Sequence, residues 1–327
     1  MILAGLDEAG YGPLLGPLAV GCSAFGVPST PTYDDGDRAL PCLWTRLGRV
    51  ISRRRDRSAR KLHVADSKTV YSPSSGLAEL ERSVLAFSSL IRADSINTPD
   101  ALLSLLAPES LADLSLHPWY NASGQRIPLA CDPAGARIAS NVLSREMGAA
   151  GVQLVHLSAT AVPEIRLNRL LQRTRNKASV LFTVVATHIQ TLLEQYSARG
   201  LHVTCDRQGG REHYAPLLRL MFEDWSLEVL REEPGCSDYR LTKGSRSARL
   251  TFREGAESAS MPVALASMVA KYLRELLMDR FNRFWSVQRP GLRPTAGYYT
   301  DGQRFLRDTA EIRAKMGIPD DDLIRSR

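Results

Sequence analysis

Cysteine is scarce in this chain and poorly placed for cross-linking. The five cysteines, Cys22, Cys42, Cys131, Cys205 and Cys236, are odd in number, far apart and without a CxxC pair. That spacing argues against a disulfide framework or a cysteine-based zinc site and fits a reducing compartment. No apolar run reaches the roughly 20 residues that span a bilayer, so no membrane association is expected. The N-terminus has neither the charged start nor the small-residue cleavage site of a secretory signal. A cytoplasmic location is therefore expected, and the Asn121-Ala-Ser sequon carries no meaning there. Internal repeats and low-complexity tracts are also missing.

What remains is ordinary globular composition, 44% hydrophobic and 24% charged over 327 residues, enough for one large domain or two smaller ones. The net charge of +7 is less informative than its distribution. Arg53, Arg54, Arg55, Arg57, Arg60 and Lys61 crowd into nine residues, and Arg166, Arg169, Arg173, Arg175 and Lys177 into twelve. Such clusters are an electrostatic footprint for phosphate backbones, or equally a solvated basic face.

The first seventeen residues, MILAGLDEAGYGPLLGP, organise the rest. Ile2, Leu3, Ala4 and Leu6 form a short apolar run ending on the adjacent carboxylates Asp7 and Glu8, then Gly10, Gly12, Pro13, Gly16 and Pro17. A run of this length bounded by Gly and Pro reads as a buried strand. Successive strand side chains point to opposite faces, so Asp7 and Glu8 do not both enter the core. A carboxylate at a buried strand end is costly unless a cation or partner stabilises it; otherwise the pair is a solvated strand end. The glycines and prolines keep the following loop tight and uncovered, which suits the close approach of a phosphate or ribose.

Along the chain, 18–27 reads as the second strand of a hairpin, 28–40 as a polar loop, and 43–60 as a helix degrading into the first basic run. A short strand, Asp66-Ser67-Lys68 and a turn precede a helix carrying Leu77, Leu80, Val84, Leu85 and Phe87. Residues 94–151 read as an insertion, because the segments on either side form one continuous α/β pattern. A strand over 152–160 leads into one or two helices over 163–196. LHVTCDRQGG (201–210) is a strand that again ends on a carboxylate, Asp206, before two glycines. A helix over 211–222 follows, then strands at 227–229, 239–242 and 248–252. Glu257 sits just before a long helix beginning near Pro262, where an early proline is well tolerated. Within it Lys271 and Glu275 form an i,i+4 pair worth only a few tenths of a kcal/mol.

Four acids stand out: Asp7, Glu8, Asp206 and Glu257. Clustered carboxylates suit hard divalent cations, and a pair of such ions serves phosphodiester hydrolysis. The motifs around them, in the same order along the chain, resemble those of the type 2 ribonucleases H (ribonuclease HII). DEAGYGPLLGP is similar to that family's DEAGRGPLAGP, and DSK at 66–68 to its DSKKL. PEIRLN (163–168) resembles the segment before the central helices, ALASMVAKYLRE (264–275) resembles AASIxAKVxRD, and TAGYYTD (295–301) resembles the GYPT segment. The matches leave out 94–151, an extra strand region near 226–250, and the last twenty residues.

The resemblance implies one ribonuclease H-like domain over 1–327: an α/β fold with a mixed five-stranded sheet flanked by helices and a helical C-terminal part. The strands carrying Asp7 and Asp206 are expected side by side. It also implies Mg²⁺- or Mn²⁺-dependent endonucleolytic cleavage of RNA in RNA/DNA hybrids, or at ribonucleotides embedded in DNA, leaving 3′-hydroxyl and 5′-phosphate ends. Asp7, Glu8, Asp206 and Glu257 are the implied catalytic metal ligands, with Asp7 bridging two ions. Gly10, Tyr11, Gly12, Ser67, Lys68, Lys271 and Tyr298 are the implied substrate contacts, with Tyr298 against the sugar at the cleavage junction. A monomer is favoured.

The chain also departs from the pattern. GRG becomes GYG, and Tyr11 loses the fixed charge and donor fork of arginine. DSKK becomes DSKT, GYPT becomes GYYT, and the chain is about a hundred residues longer than a typical member. These changes bear on substrate preference more than on metal chemistry. The alternatives are a nuclease or resolvase of the same fold with another nucleic-acid target, and a catalytically reduced nucleic-acid-binding scaffold.

Overall fold

The computed structural model describes residues 1–28, 40–56, 58, 60–92, 96–121 and 124–326. Most of the expected loop at 28–40, Arg57 and the start of the 94–151 stretch lie outside the described residues. The strands are β1 (Ile2–Ala9), β2 (Leu18–Gly26), β3 (Ile51–Ser52), β4 (Leu62–His63), β5 (Gln153–Val162), β6 (Leu201–Asp206), β7 (Ser226–Glu233), β8 (Cys236–Lys243) and β9 (Arg246–Arg253). The longer helices are α1 (Ala78–Ile91), α2 (Pro133–Ala149), α3 (Glu164–Thr174), α4 (Lys177–Tyr196), α5 (Met261–Gln288) and α6 (Tyr299–Met316).

Seven strands form one mixed sheet in the order β5-β2-β1-β6-β9-β8-β7. β1 runs antiparallel to β2 and parallel to β6, and β6 is parallel to β9. The five strands from β5 to β9 form the α/β heart. The extra strand region extends it, because β7 and β8 continue as an antiparallel meander from β9.

Helices cover both faces, which is why β1 is apolar without alternation. Ile2, Ala4 and Leu6 share a core with Val180, Leu181, Val184 and Val185 of α4, whereas Leu3 joins the core containing α1, α2 and α5. β6 follows the expected alternation: Leu201, Val203 and Cys205 are buried, while His202, Thr204 and Asp206 are half-buried. The first part of α5, Met261–Ala270, is buried on every side, as a helix enclosed by protein is. It lies directly on the strand backbone at Gly5, where a Cβ would stand 2.1 Å from the Val263 nitrogen. The described part of 94–151 contributes Leu102, Leu103, Leu106, Trp119, Tyr120 and Ile127 to the same core. Trp119 meets Phe281 and Trp285 of α5 with ring centroids 5.9 and 6.1 Å apart.

The helix expected over 43–60 is a single turn, Leu43–Arg46, followed by β3, which pairs with β4. Asp56 turns the basic run into a loop by accepting hydrogen bonds from the backbone N–H groups of Ser58, Arg60 and Lys61. The helix expected over 211–222 is confined to Ala215–Met221.

His188 of α4 packs on β5 with Nε2 3.0 Å from Thr160 Oγ1 and Nδ1 3.4 Å from Ser158 Oγ. Burial, with a smaller contribution from His156, pushes its pKa down to about 4. A folded pKa below the unfolded value makes the neutral ring stabilising above about pH 6.5, and that stability is lost as the pH falls toward 4. Glu164, pushed up to about 7 by burial, acts with the opposite sign. Comparison with His188→Asn isolates the histidine. Between pH 7 and 5 the wild type is expected to lose about 2 kcal/mol more than the variant, measured by urea unfolding at each pH. Equal losses in the two proteins would contradict this assignment.

Candidate active site

The site grows from the parallel pairing of β1 and β6. Leu6 pairs with Cys205, so Asp7 and Asp206 follow one residue later on neighbouring strands. Alternation places both carboxylates on the face covered by α5. Beyond β9, Gly255 turns the chain with φ +63° into the short helix Ala256–Ala259, which carries Glu257. The Ala256 N–H donates to Asp206 Oδ1 at 3.0 Å and ties this helix to the strand end.

Ser67, Lys68 and Ser267 complete this part of the site. Ser267 hydrogen-bonds Asp7, and its hydroxyl lies 3.0 Å from that of Ser67. Ser67 is thus buried and supports Ser267, while Lys68 beside it is exposed. Asp66 caps the turn by accepting from the Lys68 N–H at 2.9 Å.

The accumulated charge shifts these groups strongly. Asp7 is raised well above the usual carboxylate range by burial and then by the Glu8 charge. Glu8 is pushed up to about 7 by burial and then by Asp206. Burial and Asp206 raise Glu257 as well. Partial burial pulls the Lys68 pKa down, but the charges of Asp66, Asp7, Glu257 and Asp206 outweigh it and raise the value. Four carboxylates thus influence one another, with Lys68 their nearby cation.

A hard divalent cation suits this all-oxygen donor set. Glu257 Oε2 is buried without a hydrogen-bond partner among the described residues, as an oxygen reserved for a cation would be. No three His, Cys, Asp or Glu side chains among the described residues are drawn together as a ready-made metal cage. Asp7 Oδ1 accepts instead from the Glu8 N–H at 2.8 Å, and Asp206 Oδ1 from Ala256.

The glycine loop after β1 adjoins these acids. Gly10 has φ +83°, and a Cβ there would meet the Arg274 side chain at 2.5 Å and the Pro17 carbonyl at 2.7 Å. Gly12 is exposed, with open space where a Cβ would be. Tyr11 is half-buried with Lys177 Nζ 5.0 Å from its ring centre. Arg211 and Arg325 also act on its hydroxyl electrostatically, against burial and Glu8, which together raise its pKa. The second basic cluster therefore ends at this loop.

Lys271 and Tyr298 lie farther along α5 and at the start of α6. Lys271 is half-buried, with Nζ 2.5 Å from Glu275 Oε1 and 4.7 Å from the Tyr71 ring centre. Tyr298 is 55% exposed, with the Arg274 guanidinium 5.9 Å from its ring centre. Sequence reasoning missed Asp66, Ser267 and Arg274, although all three lie within the quoted motifs. It also missed Lys177 as a neighbour of Tyr11 and Arg325 altogether; no local pattern marks Arg325.

Neither a protein-family model nor a curated protein sequence matches the chain. Among solved structures it is similar to ribonuclease HII of Archaeoglobus fulgidus, seen in complex with PCNA, at 13% identity and a TM-score of 0.41, covering 100% of this chain and 95% of that one. It is similar to ribonuclease H2 of Pyrococcus horikoshii OT3 at 14% identity and a TM-score of 0.41, covering 99% and 92% of the two chains. It is also similar to Bst-RNase HIII in complex with Mn²⁺ at 12% identity and a TM-score of 0.42, covering 99% of this chain and 66% of that one.

Proposed function

We propose that this protein is a divalent-metal-dependent endonuclease of the ribonuclease HII kind, acting on RNA/DNA hybrids or on ribonucleotides embedded in DNA and leaving 3′-hydroxyl and 5′-phosphate ends. The observation that supports the reading is the gathering of Asp7, Glu8, Asp206 and Glu257 at the ends of β1 and β6 and the turn after β9, next to an exposed glycine loop. These four side chains would hold Mg²⁺ or Mn²⁺. The ions, when bound, supply the positive charge that stabilises phosphodiester oxygens and activates the attacking water.

The remaining work falls to the chain's own groups. Asp7 Oδ1 and Asp206 Oδ1 accept from the Glu8 and Ala256 N–H groups, which orients both carboxylates that would hold the ions. Lys68 offsets part of the carboxylate charge and stands where a phosphate approaches. Lys177 and Arg211 set a positive field beside Tyr11, supplying charge that the tyrosine itself lacks. The exposed ring of Tyr298 offers a stacking face for a sugar or base.

The test is a cleavage assay with Mg²⁺ and Mn²⁺ in parallel on three duplexes: one with a single embedded ribonucleotide, a continuous RNA/DNA hybrid, and plain DNA. Both ribonucleotide-containing substrates are expected to be cut, plain DNA is not, and excess EDTA stops the reaction. Cutting of the hybrid alone would show that Tyr11 has shifted preference from the junction toward general hybrid hydrolysis. Tight binding without cutting under either metal would overturn the enzyme reading in favour of a scaffold.

A further inference from the structure

The C-terminal segment, which matched no motif, runs underneath the glycine loop. After α6 the short helix Asp320–Leu323 turns the chain back across α3, with Leu323 fully buried. Asn168 of α3 fastens it there. Its Nδ2 donates to the carbonyls of Asp321 at 2.8 Å and Ile324 at 2.7 Å, and its Oδ1 accepts from the Ser326 N–H at 2.8 Å. The Arg325 N–H then donates to the Leu14 carbonyl at 2.9 Å.

The Arg325 side chain is 2% exposed and reaches into the loop from below. Nη1 donates to the Gly10 carbonyl at 2.5 Å and lies 3.5 Å from that of Gly16, while Nη2 donates to the Tyr11 carbonyl at 3.2 Å. Two further partners hold the loop's later residues. Glu164 accepts from the Gly16 N–H at 3.0 Å, and the Gly297 carbonyl accepts from Leu14 and Leu15 at 2.7 and 3.1 Å. A buried guanidinium is costly unless its donors are engaged, and here the loop carbonyls engage both terminal nitrogens, while Nε is buried without a partner among the described residues.

In a trans peptide the carbonyl of one residue and the N–H of the next point in opposite directions. Carbonyls of Gly10 and Tyr11 turned in toward Arg325 therefore turn the N–H groups of Tyr11 and Gly12 outward, at the exposed tip of the loop. We propose that Arg325 is a positioning residue for nucleic-acid binding: it holds the loop so that these two backbone donors meet a phosphate or ribose hydroxyl of the substrate. The proposal rests on the nuclease reading above. It assigns substrate affinity to a residue 315 positions from the loop it serves.

The experiment compares the full-length protein with Arg325→Ala and Arg325→Lys, using hydrogen exchange of peptides covering residues 9–17 and steady-state cleavage of the single-ribonucleotide duplex. In Arg325→Ala, loop exchange is expected to rise about tenfold while β1 and α5 stay protected, and KM to rise about tenfold with kcat nearly unchanged. Arg325→Lys, which keeps the stem and charge, recovers part of both effects and serves alone if the alanine variant does not fold. Unchanged loop exchange overturns the proposal. So does a loosened loop with unaltered KM, or a fall confined to kcat. If the wild type cuts no ribonucleotide-containing duplex, the nuclease reading fails; duplex binding by anisotropy then replaces KM, and unaltered binding overturns the proposal.

Discussion

Asp7→Asn is expected to cost about a thousandfold in cleavage rate while leaving hybrid affinity within about threefold. Loss of the charge that holds a divalent cation removes several kcal/mol of transition-state stabilisation, and each ~1.4 kcal/mol is tenfold in rate. Binding is expected to survive because the groups proposed to meet phosphate, Lys68, Lys177 and the glycine loop, are untouched. The variant is also expected to melt higher than the wild type in metal-free buffer. Asp7 is a half-buried carboxylate opposed by Glu8 and Asp206, and an uncharged isostere relieves that repulsion. Single-turnover cleavage, anisotropy binding and thermal melting in EDTA read the three effects. A variant that is less active and less stable would point to a structural role for Asp7 and remove it from the proposed metal site.

Gly5→Ala is expected to be among the most destabilising single-methyl changes in the sheet, together with Gly21→Ala, whose Cβ would meet the Ala266 carbonyl oxygen at 2.1 Å. A Cβ added at Gly5 would lie 2.1 Å from the Val263 nitrogen and 2.3 Å from the Pro262 carbonyl carbon. Both are backbone atoms, so no side chain can swing aside, and α5 must lift from β1. Overpacking a close-packed interior commonly costs about 1–3 kcal/mol, and backbone against backbone belongs at the upper end. For a chain of 327 residues a melting temperature lowered by about 3–5 °C is the expected readout. Lifting α5 also moves Ser267 away from Asp7, so cleavage should weaken even at temperatures where the variant is folded. An unchanged melting temperature would contradict the seating of α5 on β1.

Both predictions concern groups whose character was legible in the sequence to different degrees. That Asp7 lies near the end of a buried strand follows from four apolar residues before it and the glycines after, although β1 continues through Glu8 to Ala9. Strand alternation likewise separated Asp206 from Cys205 before any contact was known. The long helix at 261–288 was marked by its apolar spacing and early proline, and the four acids by their places at element ends. The fate of 43–60 was not legible, because its early apolar residues suit a helix while Asp56 imposes a turn only through its particular backbone contacts. Ser67 looked like part of a substrate motif, and its burial against Ser267 depends on α5 arriving from 200 residues away.

Outside 43–60 and 94–151, the sequence by itself marked most of the strands and helices and which residues stand near their ends. That information is carried by periodicity and turn chemistry within a few residues. The tertiary structure alone decided that β7 and β8 extend the sheet as a meander from β9, and that Glu164 and Arg325 both bond the glycine loop. Contacts between residues 148 and 315 positions apart leave no local pattern, because they depend on the path of the whole chain rather than on the neighbours of any one residue.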